Sequence, residues 1–119
     1  MTILEIFENV NIKTPVEQRI FFNYFNASVN EISALHGDMP YAVFGGKIKA
    51  GDNVRVKSLT DEPTILPLYH EAIIDNILFL CGQGDAYKGE FIRKSKEAFN
   101  EYWSEYSKKR RIKRKRGWD

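Results

Sequence analysis

"LPLYHEAIIDNILFLCGQGD", residues 66–85, decides the fold. Pro67 suits the first turn of a helix, where the N–H it lacks would go unpaired anyway. Leu68, Ala72, Ile73, Ile74, Ile77, Leu78, Phe79 and Leu80 make the run behind it apolar on nearly every face. A helix hydrophobic all round is a buried one, so residues 67–81 are read as the central element. Gly82 and Gly84 end it, and Asp85 is placed to cap a further helix. Asp75 and Asn76 interrupt the apolar run, which is too short to span a bilayer.

Working outward, "ILEIFENV" at 3–10 sets Ile3, Phe7 and Val10 on one stripe of a short first helix. Thr14-Pro15-Val16-Glu17 reads as a capping box with proline at the first helical position, opening a second helix. That helix carries Ile20, Phe21, Phe22, Tyr24, Phe25, Val29, Ile32 and Leu35 and ends at Gly37. After Asp85, Tyr87, Phe91, Ala98, Phe99, Tyr102, Trp103 and Tyr106 form a largely aromatic stripe on a last helix, with nothing to break it before Gly117.

Residues 41–60 differ. "YAVFGG" is β-branched and aromatic, and "KIKAGDNVRVKSL" at 47–59 alternates about a Gly51-Asp52-Asn53 turn. This is a hairpin pattern whose polar face is basic: Lys47, Lys49, Arg55 and Lys57. Two strands alone are marginal, so the hairpin must lean on the helices or on a neighbouring subunit. The expected fold is mainly α, a bundle of about four helices with a β-hairpin or extended loop inserted between the second and third.

Chemistry is harder to find. His70-Glu71 begins a zinc-protease helix motif, but Ile74 stands where the second histidine belongs. His36 and His70 are therefore read as satisfied surface or helix-terminal histidines. Gly45-Gly46 and Gly82-Gln83-Gly84 match no phosphate-cradling pattern. Cys81 lacks any cysteine to pair with and reads as a small buried hydrophobe of an intracellular chain. "MTILEIF" lacks the basic start of a secretory signal. No catalytic residue, metal ligand or cofactor is assigned. The 43% hydrophobic content argues for a packed, soluble domain over disorder.

The charge is asymmetric. Residues 108–119, "KKRRIKRKRGWD", hold 8 bases and one acid, a net of +7. The chain has 18 bases and 16 acids, so residues 1–107 hold 10 and 15, a net of −5. The chain thus divides into a helical domain, 1–107, and a basic tail, 108–119. Three readings of Lys108, Lys109, Arg110, Arg111, Lys113, Arg114, Lys115, Arg116 and Trp118 compete. A solvated helix end needs only two or three charges to complement the dipole. A DNA arm would bind phosphates without reading sequence. A hook would pair with an acidic protein surface and seat Trp118 in a pocket, a role interfaces give to Trp and Arg. The hook is favoured, with DNA proximity secondary.

The last half also resembles a known family. The helix start Leu66-Pro67-Leu68-Tyr69-His70-Glu71-Ala72-Ile73, the Gly82-Gln83-Gly84-Asp85 link and "AYKGEFIRKSKEAFNEYWSEY" at 86–106 resemble the head-to-tail connector (adaptor) proteins of tailed bacteriophages. The resemblance covers most of the chain in layout and residues 66–106 in detail. It implies a structural virion protein without enzymatic activity. Such a protein forms a homo-oligomeric ring, commonly twelve-fold, under the portal protein at the neck. A stopper or tail-completion protein joins below, and DNA passes through the channel. It implies a place in the virion, reached from the host cytoplasm during assembly, with no membrane contact. In that family the C-terminal segment often grips the portal. The rival reading is a small cytosolic protein that binds nucleic acid without sequence preference through its basic tail; the −5 body repels a duplex everywhere but at that end.

Overall fold

The computed structural model describes residues 1–36, 41–43, 46–48, 56–61 and 67–118, of which 41–48, Trp103 and 105–118 are described by backbone alone. The chain is mainly helical. Helix α1 (Ile3–Lys13) leads to α2 (Gln18–His36); a 3₁₀ turn (Pro67–Tyr69) opens α3 (His70–Leu80); α4 runs from Asp85 to Trp118.

The capping box is real but opens α1. Thr2 Oγ1 accepts the Glu5 N–H at 3.1 Å, and Glu5 Oε1 accepts the Thr2 N–H at 3.3 Å. Thr14, expected to open α2, closes α1 instead, donating its N–H to the Val10 carbonyl at 2.9 Å. Pro15 explains the shift. Its ring drives the preceding residue out of helical conformation, and Thr14 sits extended at φ −153° and ψ 125°. The side chain of Asn11 then takes the Val16 N–H at 3.1 Å, and helix resumes only at Gln18. Gly37, expected to end α2, lies outside the described residues.

α3 ends as its glycines foretell. Gln83 N–H bonds the Leu78 carbonyl at 3.1 Å and Gly82 N–H bonds that of Phe79 at 2.9 Å, with Gly82 left-handed at φ +85°. This is a Schellman cap, and a glycine carries its middle residue without strain. Gly84 is also left-handed, at φ +128°, and α4 starts on the next residue, so Asp85 occupies the first turn rather than the cap.

α3 lies at the centre, packed on α1, α2 and α4. Ile73, Ile77 and Leu78 are fully buried with Ile3, Ile6, Val10, Phe21, Phe25, Ile32 and Phe91. Phe7 meets Phe21 edge-on at 5.0 Å between ring centroids, locking α1 to α2. Cys81 and Ile74 are only partly buried against this core, Cys81 thus less deeply than its apolar neighbours suggested.

The expected hairpin is not supported. Tyr41–Val43 and Gly46–Ile48 pair antiparallel, Tyr41 with Ile48, so Ile48 pairs backward rather than across a 51–53 turn. Residues 49–55, with Lys49, Arg55 and that turn, lie outside the described residues. At 56 the segment rejoins the bundle. Asn26 Oδ1 accepts the Val56 N–H at 2.9 Å and Asn26 Nδ2 donates to its carbonyl at 3.0 Å, so one amide satisfies a backbone residue on both sides. Val56 is buried, and the Asp61 carboxylate accepts the N–H groups of Lys57 and Ser58.

Ile77→Asp or Leu78→Asp is expected to unfold the chain. An unpaired buried charge costs several kcal/mol against a total stability of about 5–15 kcal/mol. Thermal melting by circular dichroism checks this; a parent-like melt would remove α3 from the centre.

Candidate docking helix and the polar seam beneath it

α4 has two parts that differ in chemistry but share one backbone. It crosses 107/108 without a break. Over its first half the buried positions are Phe91, Ser95 and Ala98, at four- and three-residue spacing. Continued in register, that line passes Tyr102 and reaches positions 105, 109, 112 and 116, where the sequence has Glu105, Lys109, Ile112 and Arg116. A core-facing stripe does not continue through an acid and two bases with a single isoleucine among them. The eight bases of 108–116 fall at helix positions all round the axis, so this half has no apolar face with which to fold back. Of the predicted tail residues, Lys108 to Trp118 are thus placed together on one helix. From Trp103 to Trp118 that helix is about 24 Å long at 1.5 Å per residue. Of the predicted hairpin residues, Lys47 lies on the second strand and Lys57 is exposed beside Asp61.

The first half of α4 is fixed by polar contacts that run under it. The Ser28 hydroxyl donates to the Tyr24 carbonyl at 2.7 Å and accepts Asn76 Nδ2 at 2.8 Å. Asn76 Oδ1 accepts Lys88 Nζ at 3.1 Å, and Lys88 also binds Glu31. Asn76 and Ser28 are fully buried, so each bond satisfies a group that would be costly to leave alone. The Lys88 ammonium also lies 4.8 Å from the Phe91 ring centroid. Six residues further along α4, Lys94 Nζ sits 2.7 Å from the buried Asp75 Oδ2. That carboxylate, first of all, holds the Lys94 pKa above the ordinary lysine value. Arg93 bridges Glu90 and Glu97 on the outer face and lowers the Glu90 pKa, an exposed contact of little consequence for stability.

Sequence reading missed this seam. The available signal was that Asp75 and Asn76 sit inside an otherwise buried helix, and buried polar groups require partners.

Both histidines are helix-terminal. His36 closes α2, stacked on Phe99 at 4.7 Å and 14°, with Nε2 3.4 Å from Ser95 Oγ. His70 opens α3, buried, with Nδ1 3.1 Å from the Met1 amino nitrogen. His70 is thus a partnered helix-terminal histidine, as expected, and it is buried rather than at the surface. Burial lowers the His36 pKa and raises that of Cys81, which keeps the latter a thiol. Among the described residues no three His, Cys, Asp or Glu gather as metal ligands, and no helix is long and apolar enough to cross a membrane. No protein-family model, curated protein or solved structure matches the chain.

His36 gives a pH prediction. A histidine whose folded pKa lies below 6.5 adds stability that is present above that value and lost as pH falls through the folded pKa. Urea midpoints measured from pH 8 to 5 should decline at the acid end, and His36→Gln should flatten part of that decline. An unchanged slope in the variant would place the acid sensitivity elsewhere.

Proposed function

We propose that this chain is a head-to-tail connector of a tailed bacteriophage. In this reading it is a structural protein that assembles as a ring of about twelve copies under the portal and receives a stopper or tail-completion protein below. The observation that carries the reading is α4, a 34-residue helix that begins as a packed member of the bundle and continues as a basic rod. A ring subunit gripping a second protein above it needs such an outreaching element, rigid enough to hold position and charged enough to find its partner. The order supports the reading too: a helix pair, an inserted segment, a proline-opened central helix and a long C-terminal helix. The body of net −5 holds itself away from passing DNA, while Lys108–Arg116 favours an acidic portal surface first and phosphates second.

The inserted segment is a second contact. Its bases Lys47, Lys49, Arg55 and Lys57 are offered to a neighbouring subunit, whose body carries excess acid. The Asn26–Val56 clamp limits how this can be tested, because removing Val56 would also remove a core residue. Deleting 48–54 and closing the gap with glycines should leave the helical circular dichroism of the monomer intact and weaken ring assembly. Normal incorporation of that variant into rings or virions would end this role.

Trp118 separates portal from DNA. Both kinds of binding weaken with salt, because both rest on Lys and Arg. An indole has no required role against a duplex, whereas truncating a buried Trp anchor commonly costs about 2 kcal/mol or more. Trp118→Ala should lose portal attachment and keep duplex affinity. Arg110/Arg111/Arg114/Arg116→Gln should lose both. Full attachment by Trp118→Ala would return the tail to the DNA-arm reading.

A further inference from the structure

Helix α1 is apolar on two sides. Ile3, Ile6 and Val10 face the core, fully buried. On the opposite side Met1, Leu4 and Ile12 are 37%, 44% and 81% exposed. Positions 4, 8 and 12 follow one another at helical spacing, so Leu4 and Ile12 lie on one line with Glu8 between them, and Met1 precedes the helix next to its Thr2 cap. Single exposed hydrophobes are ordinary, but an aligned set on a helix already buried on its other face is the pattern of an element covered from both sides. Glu5 and Glu8 are exposed on this face, so it is apolar and acidic together.

The complementary surface belongs to the same chain. α2 runs beside α4 in the same direction: Glu31 meets Lys88, and His36, the last residue of α2, meets Ser95 and Phe99. The described part of α2 ends at His36, beside Phe99. From there the sequence of α4 reads "WSEYSKKRRI", residues 103–112, aromatic first and then basic. At 1.5 Å per residue these ten positions span about 15 Å, the length of α1.

We propose that the outer face of α1 is an assembly surface occupied by residues 103–112 of α4 from a second copy. With the two helices antiparallel, the aromatic end of the segment falls at Ile12, Lys108–Arg111 along Glu5 and Glu8, and position 112 at Leu4. The contact is heterologous. Pairing α4 with α4 would bring two tails of net +7 together, whereas α4 on α1 joins base to acid. A heterologous contact whose rotation closes gives a ring, and each tail is left free from 113 onward, with Trp118, for a partner above. This inference rests on the connector reading and names the surfaces by which that ring would form.

The test uses three full-length proteins: the parent, Leu4→Asp/Ile12→Asp, and Lys108→Glu/Lys109→Glu/Arg110→Glu/Arg111→Glu. Circular dichroism first confirms that both variants are folded; the first alters only exposed positions. Sedimentation then follows assembly against concentration. Each variant should shift the association midpoint upward by about tenfold or more, the change expected for losing about 1.4 kcal/mol of contact energy. Mixing the two variants is the decisive arm. One supplies an intact α4 and the other an intact α1, so a heterologous contact yields a 1:1 pair and stops there. Parent-like assembly by either variant, a mixture that forms no pair, or a parent that remains monomeric throughout would each overturn the proposal. Portal attachment by the parent judges the connector reading separately. A parent that attaches to portal while Leu4→Asp/Ile12→Asp assembles unchanged loses this contact and keeps that function.

Discussion

α3 must be surrounded, and the rest of the fold follows from that requirement. Its eleven residues put Ile73, Ile77 and Leu78 in the core, together with an amide and a carboxylate, Asn76 and Asp75, that no apolar neighbour can satisfy. The apolar set requires helices on several sides. The polar pair specifies which helices and in what register. Asn76 reaches Ser28 on α2 and Lys88 on α4, and Asp75 reaches Lys94 six residues further along α4. A hydrophobic interface tolerates sliding by a turn, whereas hydrogen bonds to a buried amide do not, because a displaced partner leaves a desolvated group unpaired. The seam therefore sets the phase of α4, and through it the direction in which the basic rod leaves the body.

Much of this was legible in the sequence where the signal is local. The all-round hydrophobicity of 67–81 marked the centre, and Gly82 marked its end, because both depend on residues close in the chain. Local signals can still be assigned to the wrong neighbour. Thr14 and Glu17 have the composition and spacing of a capping box, yet Pro15 between them makes Thr14 extended, and the box is formed by Thr2 and Glu5. Proline at the first helical position and proline as a terminator look alike in sequence. What separated them here was Asn11, five residues upstream of the Val16 N–H it captures.

The candidate surfaces divide along the same lines. The tail is visible in composition alone, because eight bases in twelve residues need no partner to be noticed. The seam beneath it joins residues up to 57 positions apart, such as Glu31 and Lys88, and no periodicity encodes which acid meets which base. The outer line of α1 was hidden for a different reason. Ile3, Phe7 and Val10 already account for one apolar stripe in the sequence, and the exposure of Leu4 and Ile12 emerges only once Ile3, Ile6 and Val10 fill the inner face.

The division of α4 into a packed half and a charged half has a mechanical consequence. Like charges three and four residues apart work against the helix, and a run of bases at 108–116 supplies many such pairs. Two features offset them. The first half arrives already helical, held by Phe91, Ser95, Ala98 and the seam, so the distal half extends an existing helix and avoids the unfavourable nucleation step. The bases nearest the C-terminus also complement the dipole. An acidic partner would remove the remaining repulsion, and the helix would then be most rigid when docked. Binding and stiffening would be the same event, so the free energy of neutralising the bases would also order the element that positions the partner.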